Sequence, residues 1–160
     1  MALVESAVVF FDWLFKILHW GCRLLLAGIF LYTGYIKLES PLQFAAVLSG
    51  YQLFPDALIL PLTQYFPWVE IALGVLLLVG LKIRYVAFGA CLLLGTFVAV
   101  LALTYFRGIE ANCGCFSFED RISPLTLLRD GIILLPAIYL VVEPVLRRRF
   151  GPPAHTPAGA

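Results

Sequence analysis

The sequence predicts an all-α membrane protein: a bundle of four transmembrane helices with a short interfacial or re-entrant segment between the first and second. Composition is the first observation behind that class. Of 160 residues, 62% are hydrophobic and 13% charged, whereas charged residues make up about a quarter of an ordinary soluble domain. Mean hydropathy is +0.97. The second observation is run length: the apolar residues fall into stretches of about 20, the length that crosses a hydrocarbon core at ~1.5 Å per residue. The third is a strongly polar interior segment that breaks the pattern and holds Cys113-Gly114-Cys115. A net charge of +1 offers no basic surface for nucleic acid. The lipid bilayer is the expected partner.

Residues 1–15 mix apolar and aromatic side chains with Glu5 and Asp12, an amphipathic lead-in expected to lie along the interface. Acidic residues stand where a signal peptide carries positive charge, and no small-residue cleavage site stands out, so the first span is expected to be retained. The transmembrane domain is placed at 16–146, with spans at about 16–38, 57–81, 85–106 and 125–146. Arg23 lies in the first two turns of the first span, and Tyr32, Tyr35 and Lys37 lie near its far end, where headgroups favour aromatic rings and lysine. Leu42 to Tyr51 is apolar but too short to span.

The second span carries Pro61 and Pro67, which are expected to kink it, and Glu70 near its middle. Lys82-Ile83-Arg84 forms a tight basic turn into the third span, where Gly89, Ala90 and Gly95 would let a neighbouring helix approach. The polar segment 107–124 follows. Arg129 and Asp130 lie just over a turn into the fourth span, and 147–160 is expected to be a basic, then disordered, cytoplasmic tail.

Orientation follows from lysine and arginine in the short connections. Lys16, Lys82, Arg84 and Arg147 to Arg149 fall on one side of a four-span chain, and only Lys37, Arg107 and Arg121 on the other. Both termini are therefore expected in the cytoplasm, with Cys113 and Cys115 on the extracytoplasmic side, where disulfides persist.

A disulfide stabilises mainly by closing a loop, and the effect grows with loop length. A bridge between Cys113 and Cys115 would enclose Gly114 alone, so a staple is a poor reading. Gly114 can take the unusual backbone angles such a bridge needs, and a strained, exposed disulfide is the labile or catalytic kind. Redox use is favoured over inert thiols and over a metal half-site, which would need further ligands from elsewhere. No metal site is therefore assigned. Arg107 and Arg121 would favour a thiolate, and Glu110, Glu119 and Asp120 would oppose it. Cys22 and Cys91 lie inside apolar runs and read as packing residues.

Charges inside a span are costly and usually paired within the bundle. Arg23 and Glu70 approach a similar inner depth, which suggests an ion pair between the first two spans. Lys37, Arg129 and Asp130 fall at one level beneath the cysteines. They read either as a pocket for a substrate or partner or, for the latter two, as a snorkelling arginine beside a helix-start aspartate.

These residues resemble a known group. Arg23 with Gly34-Tyr35-Ile36-Lys37, then Pro67-Trp68-Val69-Glu70 leading to Gly74 and Gly80, is similar to the DoxX-like membrane proteins. The segment Arg107 to Phe116, with its Asn112-Cys113-Gly114-Cys115-Phe116, and the following Arg129 resemble the MauE branch of methylamine-utilisation proteins. The resemblance covers about 16–146 and is most specific at Cys-Gly-Cys-Phe. It implies a four-helix membrane protein tied to thiol redox chemistry, maturation of a disulfide-containing periplasmic client and a periplasmic thioredoxin-like partner. Through the DoxX members it also admits a quinone as acceptor. No other cofactor is implied.

The expected function is an inner-membrane thiol:disulfide redox protein. Cys113 and Cys115 would be the catalytic pair, and Lys37, Glu70, Arg129 and Asp130 would line a cofactor or partner pocket. The alternatives are a non-enzymatic assembly factor for a periplasmic client and a metal or small-molecule carrier.

Overall fold

The computed structural model describes residues 2–150, with side chains for Phe10 and residues 12–146. Of the tail expected over 147–160, residues 151–160 and the side chains of 147–150 lie outside those described, as do most of the lead-in side chains expected over 1–15. The fold is all-helical: α1 Ala2–Glu39, α2 Pro41–Gly50, α3 Asp56–Val79, α4 Ile83–Phe106 and α5 Pro124–Phe150. Among the described residues, four segments are long and apolar enough to cross a membrane: Asp12–Glu39, Asp56–Val79, Ile83–Phe106 and Pro124–Leu146. The short α2 lies between the first two of them, as the fold class requires.

Local chemistry sets the boundaries. Gly80, at φ 78°, ends α3 in the left-handed region, and its N–H donates to Leu76 O at 2.9 Å. Ser123 and Thr126 cap α5 reciprocally: the Thr126 N–H donates to Ser123 Oγ at 3.2 Å and the Ser123 N–H to Thr126 Oγ1 at 2.8 Å. Pro124 occupies the first helical position, where its missing N–H leaves no intrahelical bond unmade. α3 continues as a helix through both Pro61 and Pro67.

Lipid tails are as apolar as the side chains facing them, so close packing holds such helices together more than burial does. α1 and α3 run antiparallel and meet at glycines. A Cβ at Gly34 would lie 2.7 Å from Ile71 Cγ1 and 3.0 Å from Pro67 O, and one at Gly74 would lie 2.8 Å from Leu31 Cγ. Among the described residues the bundle has two cores. One, around Leu26, Phe30, Leu77, Ala87 and Leu140, joins α1, α3, α4 and α5. The other joins Phe44, Val47, Leu48 and Tyr51 to Leu101, Ala111, Cys113 and Cys115, and so seats the cysteine segment on α2 and α4.

The α1–α3 register corrects one expectation, the ion pair of Arg23 with Glu70. Gly34 lies level with Glu70, whose Cβ would be 3.3 Å from a Cβ there, while Arg23 lies level with Gly80. Ten residues of α3 separate the two levels, about 15 Å of helix. Arg23 instead caps α3: its Nε donates to Leu77 O at 2.5 Å and its Nη2 to Leu78 O at 2.6 Å, with the guanidinium 4.5 Å from the Trp20 ring centroid. A cation at a helix C-terminus meets the negative end of the helix dipole. At the same end of the bundle, His19 Nδ1 lies 3.5 Å from Glu143 Oε2, linking α1 to α5.

Candidate functional site

The segment between α4 and α5 folds into a small hairpin over residues 111–122. Asn112 and Arg121 form an antiparallel bridge, the Cys113 N–H donates to Asp120 O at 2.6 Å, and the Ile122 N–H donates to Ala111 O at 3.0 Å. Asn112 Nδ2 closes the turn by donating to Phe118 O at 2.7 Å. Gly114 sits at φ 67°, in the left-handed region that favours glycine, and a Cβ there would come 2.7 Å from Val47 Cγ1. Both backbone conformation and space therefore require glycine between the cysteines.

Cys113 and Cys115 are free thiols, buried to 0% and 7% exposure. Sequence reasoning anticipated an exposed pair; hairpin and α2 cover it instead. The sulfurs lie 2.9 Å apart. Asp130, on the second turn of the capped α5, reaches both: Cys115 Sγ donates to Asp130 Oδ2 at 3.0 Å, and Cys113 Sγ lies 3.4 Å from the same oxygen. Arg129 Nε donates to Asp130 Oδ1 at 3.1 Å, its Nη1 to Asp120 Oδ2 at 3.4 Å, and its Nη2 lies 3.8 Å from Cys113 Sγ. The Phe116 ring lies beneath that guanidinium, 4.7 Å from its carbon. Burial, reinforced by Cys113 and Asp130, pushes the Cys115 thiol above its ordinary range. The closed site thus holds Cys115 as a neutral thiol with a proton acceptor already in place.

Lys37 and Glu70 form a second cluster. The Lys37 Nζ donates to both carboxylate oxygens of Glu70, at 2.6 and 2.8 Å, and the two residues are 2% and 5% exposed. Three rings surround the ammonium, with Phe44, Phe66 and Phe97 centroids at 5.3, 5.2 and 5.8 Å. One cavity is lined by Lys37 and Glu70 on one side and by Cys115, Phe116 and Asp130 on the other. Of the residues singled out from the sequence, the structure thus gathers Cys113, Cys115, Arg129 and Asp130 directly. Lys37 and Glu70 join them across the cavity, and Arg23 is excluded.

Sequence reasoning missed Tyr51, whose hydroxyl donates to Cys113 O at 2.5 Å. Burial above all, then Cys113, Cys115 and Asp130, raises the Tyr51 phenol and keeps it a donor. Phe44, Val47, Leu48 and Tyr51 recur at the spacing of one helix face, and that pattern was the available signal.

Cys113, Cys115 and Asp130 offer three ligand atoms within 4.8 Å of one another, one donor more than the sequence suggested. Two thiolates on a tetrahedral zinc at ~2.3 Å would stand roughly 3.8 Å apart. At 2.9 Å the sulfurs are set closer than that, so the spacing suits sulfur–sulfur chemistry better.

Fold and site together define a small multi-pass membrane protein with a buried dithiol at one end of its bundle. Residues 15–143 match the family model described as methylamine utilisation protein MauE, and the chain belongs to that family. It is 31% identical over 142 residues to the methylamine utilization protein MauE of Paracoccus denitrificans, an alignment covering 87% of this chain and 72% of the relative. It is 28% identical over 125 residues to the MauE of Paracoccus versutus, covering 76% and 67%. No solved structure matches.

Proposed function

We propose that this protein is a thiol:disulfide redox protein of the bacterial inner membrane, with both termini in the cytoplasm and the hairpin on the periplasmic side. Cys113 and Cys115 cycle between dithiol and disulfide. The observation that carries the reading is the placement of two thiols 2.9 Å apart with the Asp130 carboxyl 3.0 Å from one of them. Kinship with methylamine utilisation proteins supports a role in that system, in maturation of a disulfide-containing client through a thioredoxin-like partner. The charge bias of the connections supports the orientation.

Exchange runs in balanced steps. Cys115 passes its proton to Asp130, and one thiolate attacks a sulfur of the partner's disulfide, so that a mixed disulfide forms and the partner's other sulfur leaves as a thiolate. The second cysteine then attacks the mixed disulfide. The Cys113–Cys115 bond forms, and the partner departs with two thiols. The reverse sequence oxidises the partner. Since the thiols are buried, the hairpin must lift from α2 before either can meet a protein.

Mass-tagging of thiols in intact membranes tests this. The expected result is a pair that shifts between reduced and oxidised forms with growth conditions, and a mixed disulfide that accumulates when Cys113 or Cys115 is replaced singly by serine. A pair frozen in one state, with full function in the double serine variant, would sink the reading.

A further inference from the structure

The hairpin that carries the cysteines is fastened on two sides. On the α2 side the Tyr51 hydroxyl donates to Cys113 O at 2.5 Å, and Val47 fills the space where a Gly114 Cβ would stand. On the α5 side Arg129 donates to Asp120 Oδ2 at 3.4 Å and lies over the Phe116 ring, and Cys115 Sγ donates to Asp130 Oδ2 at 3.0 Å. The first four contacts are indifferent to the oxidation state of the cysteines. The last needs a thiol hydrogen. Asp130 is 4% exposed, and Arg129 Nε bonds its other oxygen, Oδ1, at 3.1 Å. Among the described residues, the donors at Oδ2 are the two thiols, at 3.0 and 3.4 Å. Water would be the replacement, but the cysteine segment is seated on α2 and α4 over that oxygen. Where the segment leaves α4, Gly108 sits at φ 68° with nothing within 4 Å of a Cβ, a joint with room around it.

Resting on the thiol redox reading above, we propose that the hairpin is a redox-sensitive gate, closed over Cys113 and Cys115 while they are thiols and open once they are joined as a disulfide. The oxidant is the partner disulfide of that reading. Two S–H bonds and the partner's S–S bond break, one S–S bond forms between Cys113 and Cys115, and both hydrogens leave on the partner's two thiols. Asp130 is then a carboxylate again, because the proton it accepted has gone with the partner. A disulfide has no hydrogen to donate, so Oδ2 faces two sulfurs that offer it nothing. A buried acceptor without a donor is costly, and a charged one more so. Lifting the hairpin admits water to that oxygen, and restoring the thiols lets the hairpin close. The accessible form is therefore the disulfide, and the partner it fits is a protein that presents a dithiol. A partner that carries a disulfide must wait for the closed form to open by itself.

Amide exchange read by mass spectrometry, on the full chain in lipid nanodiscs, tests the gate. The dithiol form is compared with the disulfide form made by an excess of a soluble aromatic disulfide. A two-stranded hairpin standing alone in water is marginal, so the N–H groups of Cys113 and Ile122, bonded across it, lose protection when it leaves α2. They are expected to exchange at least about tenfold faster in the disulfide form, with α1 and α3 unchanged. Two double variants separate the lost donor from the new bond. Cys113→Ser with Cys115→Ser keeps O–H donors for Asp130 and is expected to exchange as the dithiol does. Cys113→Ala with Cys115→Ala removes both donors without forming any bond and is expected to exchange as the disulfide does. Exchange that is equal or slower in the disulfide form, or serine and alanine variants that behave alike, would overturn the gate and leave the redox pair standing. Thiols that form no disulfide with the aromatic reagent would remove both the gate and the reading beneath it.

Discussion

The Lys37–Glu70 pair and, through Cys115 and Asp130, the dithiol cluster line one cavity, and the two are about equally buried, yet they are built for different ends. In the first, both oxygens of the carboxylate are bonded to the ammonium and three rings enclose it. Nothing in that arrangement gains from change. In the second, one carboxyl oxygen serves two sulfurs, a neutral thiol points at its own proton acceptor, and an arginine waits 3.8 Å from the other sulfur. Buried polar groups placed side by side can thus be sorted by how fully they satisfy one another: the complete set holds the helices, and the incomplete set is available for chemistry.

Substitutions should separate the two. The largest effect is expected from replacing Cys113 and Cys115 together by serine: redox cycling stops altogether on mass-tag gels, while thermal stability in detergent moves little. Lys37→Met should do the reverse, with destabilisation of about 3–5 kcal/mol because Glu70 is left buried without a partner. Adding Glu70→Met to that variant should restore most of the loss. If the Lys37→Met chain kept its stability but lost its redox cycle, the assignment of the pair to structure would be wrong.

Asp130→Asn removes the proton acceptor at nearly constant shape. Disulfide exchange measured by stopped flow should fall by about 100-fold, and an unchanged rate would remove Asp130 from the mechanism. A smaller effect is expected of Tyr51→Phe, which deletes the bond to Cys113 O and should destabilise the hairpin by about 1 kcal/mol, read as faster amide exchange at Cys113.

The smallest effect concerns pH. Cys115 is raised in the folded protein, so its thiol form adds stability that is complete at neutral pH and lost as pH rises. From about pH 8.5 upward the unfolded chain gives up this proton before the folded one does. Stability should therefore fall with alkalinity, and Cys115→Ser should flatten that slope.

The four spans were legible because apolar runs of membrane length are a strong signal, and α2 because its run was too short to cross. The cysteine pair was legible from its motif. Depth alone misassigned Arg23, since placing two charges at a similar level ignores the register that Gly34 and Gly74 impose on α1 against α3. The burial of the thiols was hidden for a related reason: it depends on α2 folding back over a segment some 60 residues further on, with Tyr51 bonded to Cys113. No local pattern encodes that pairing, although the helical spacing of Phe44, Val47, Leu48 and Tyr51 marks the face that makes it.

The contact of Val47 with Gly114 and the bond from Tyr51 to the Cys113 carbonyl together act as a latch, and a latch sets a duty cycle. If protein partners meet the thiols only during the fraction of time that it stands open, apparent affinity is the intrinsic affinity scaled by that fraction. Sequence changes on α2 that never touch a partner can then retune how readily it is engaged and leave the chemistry at the sulfurs as it was.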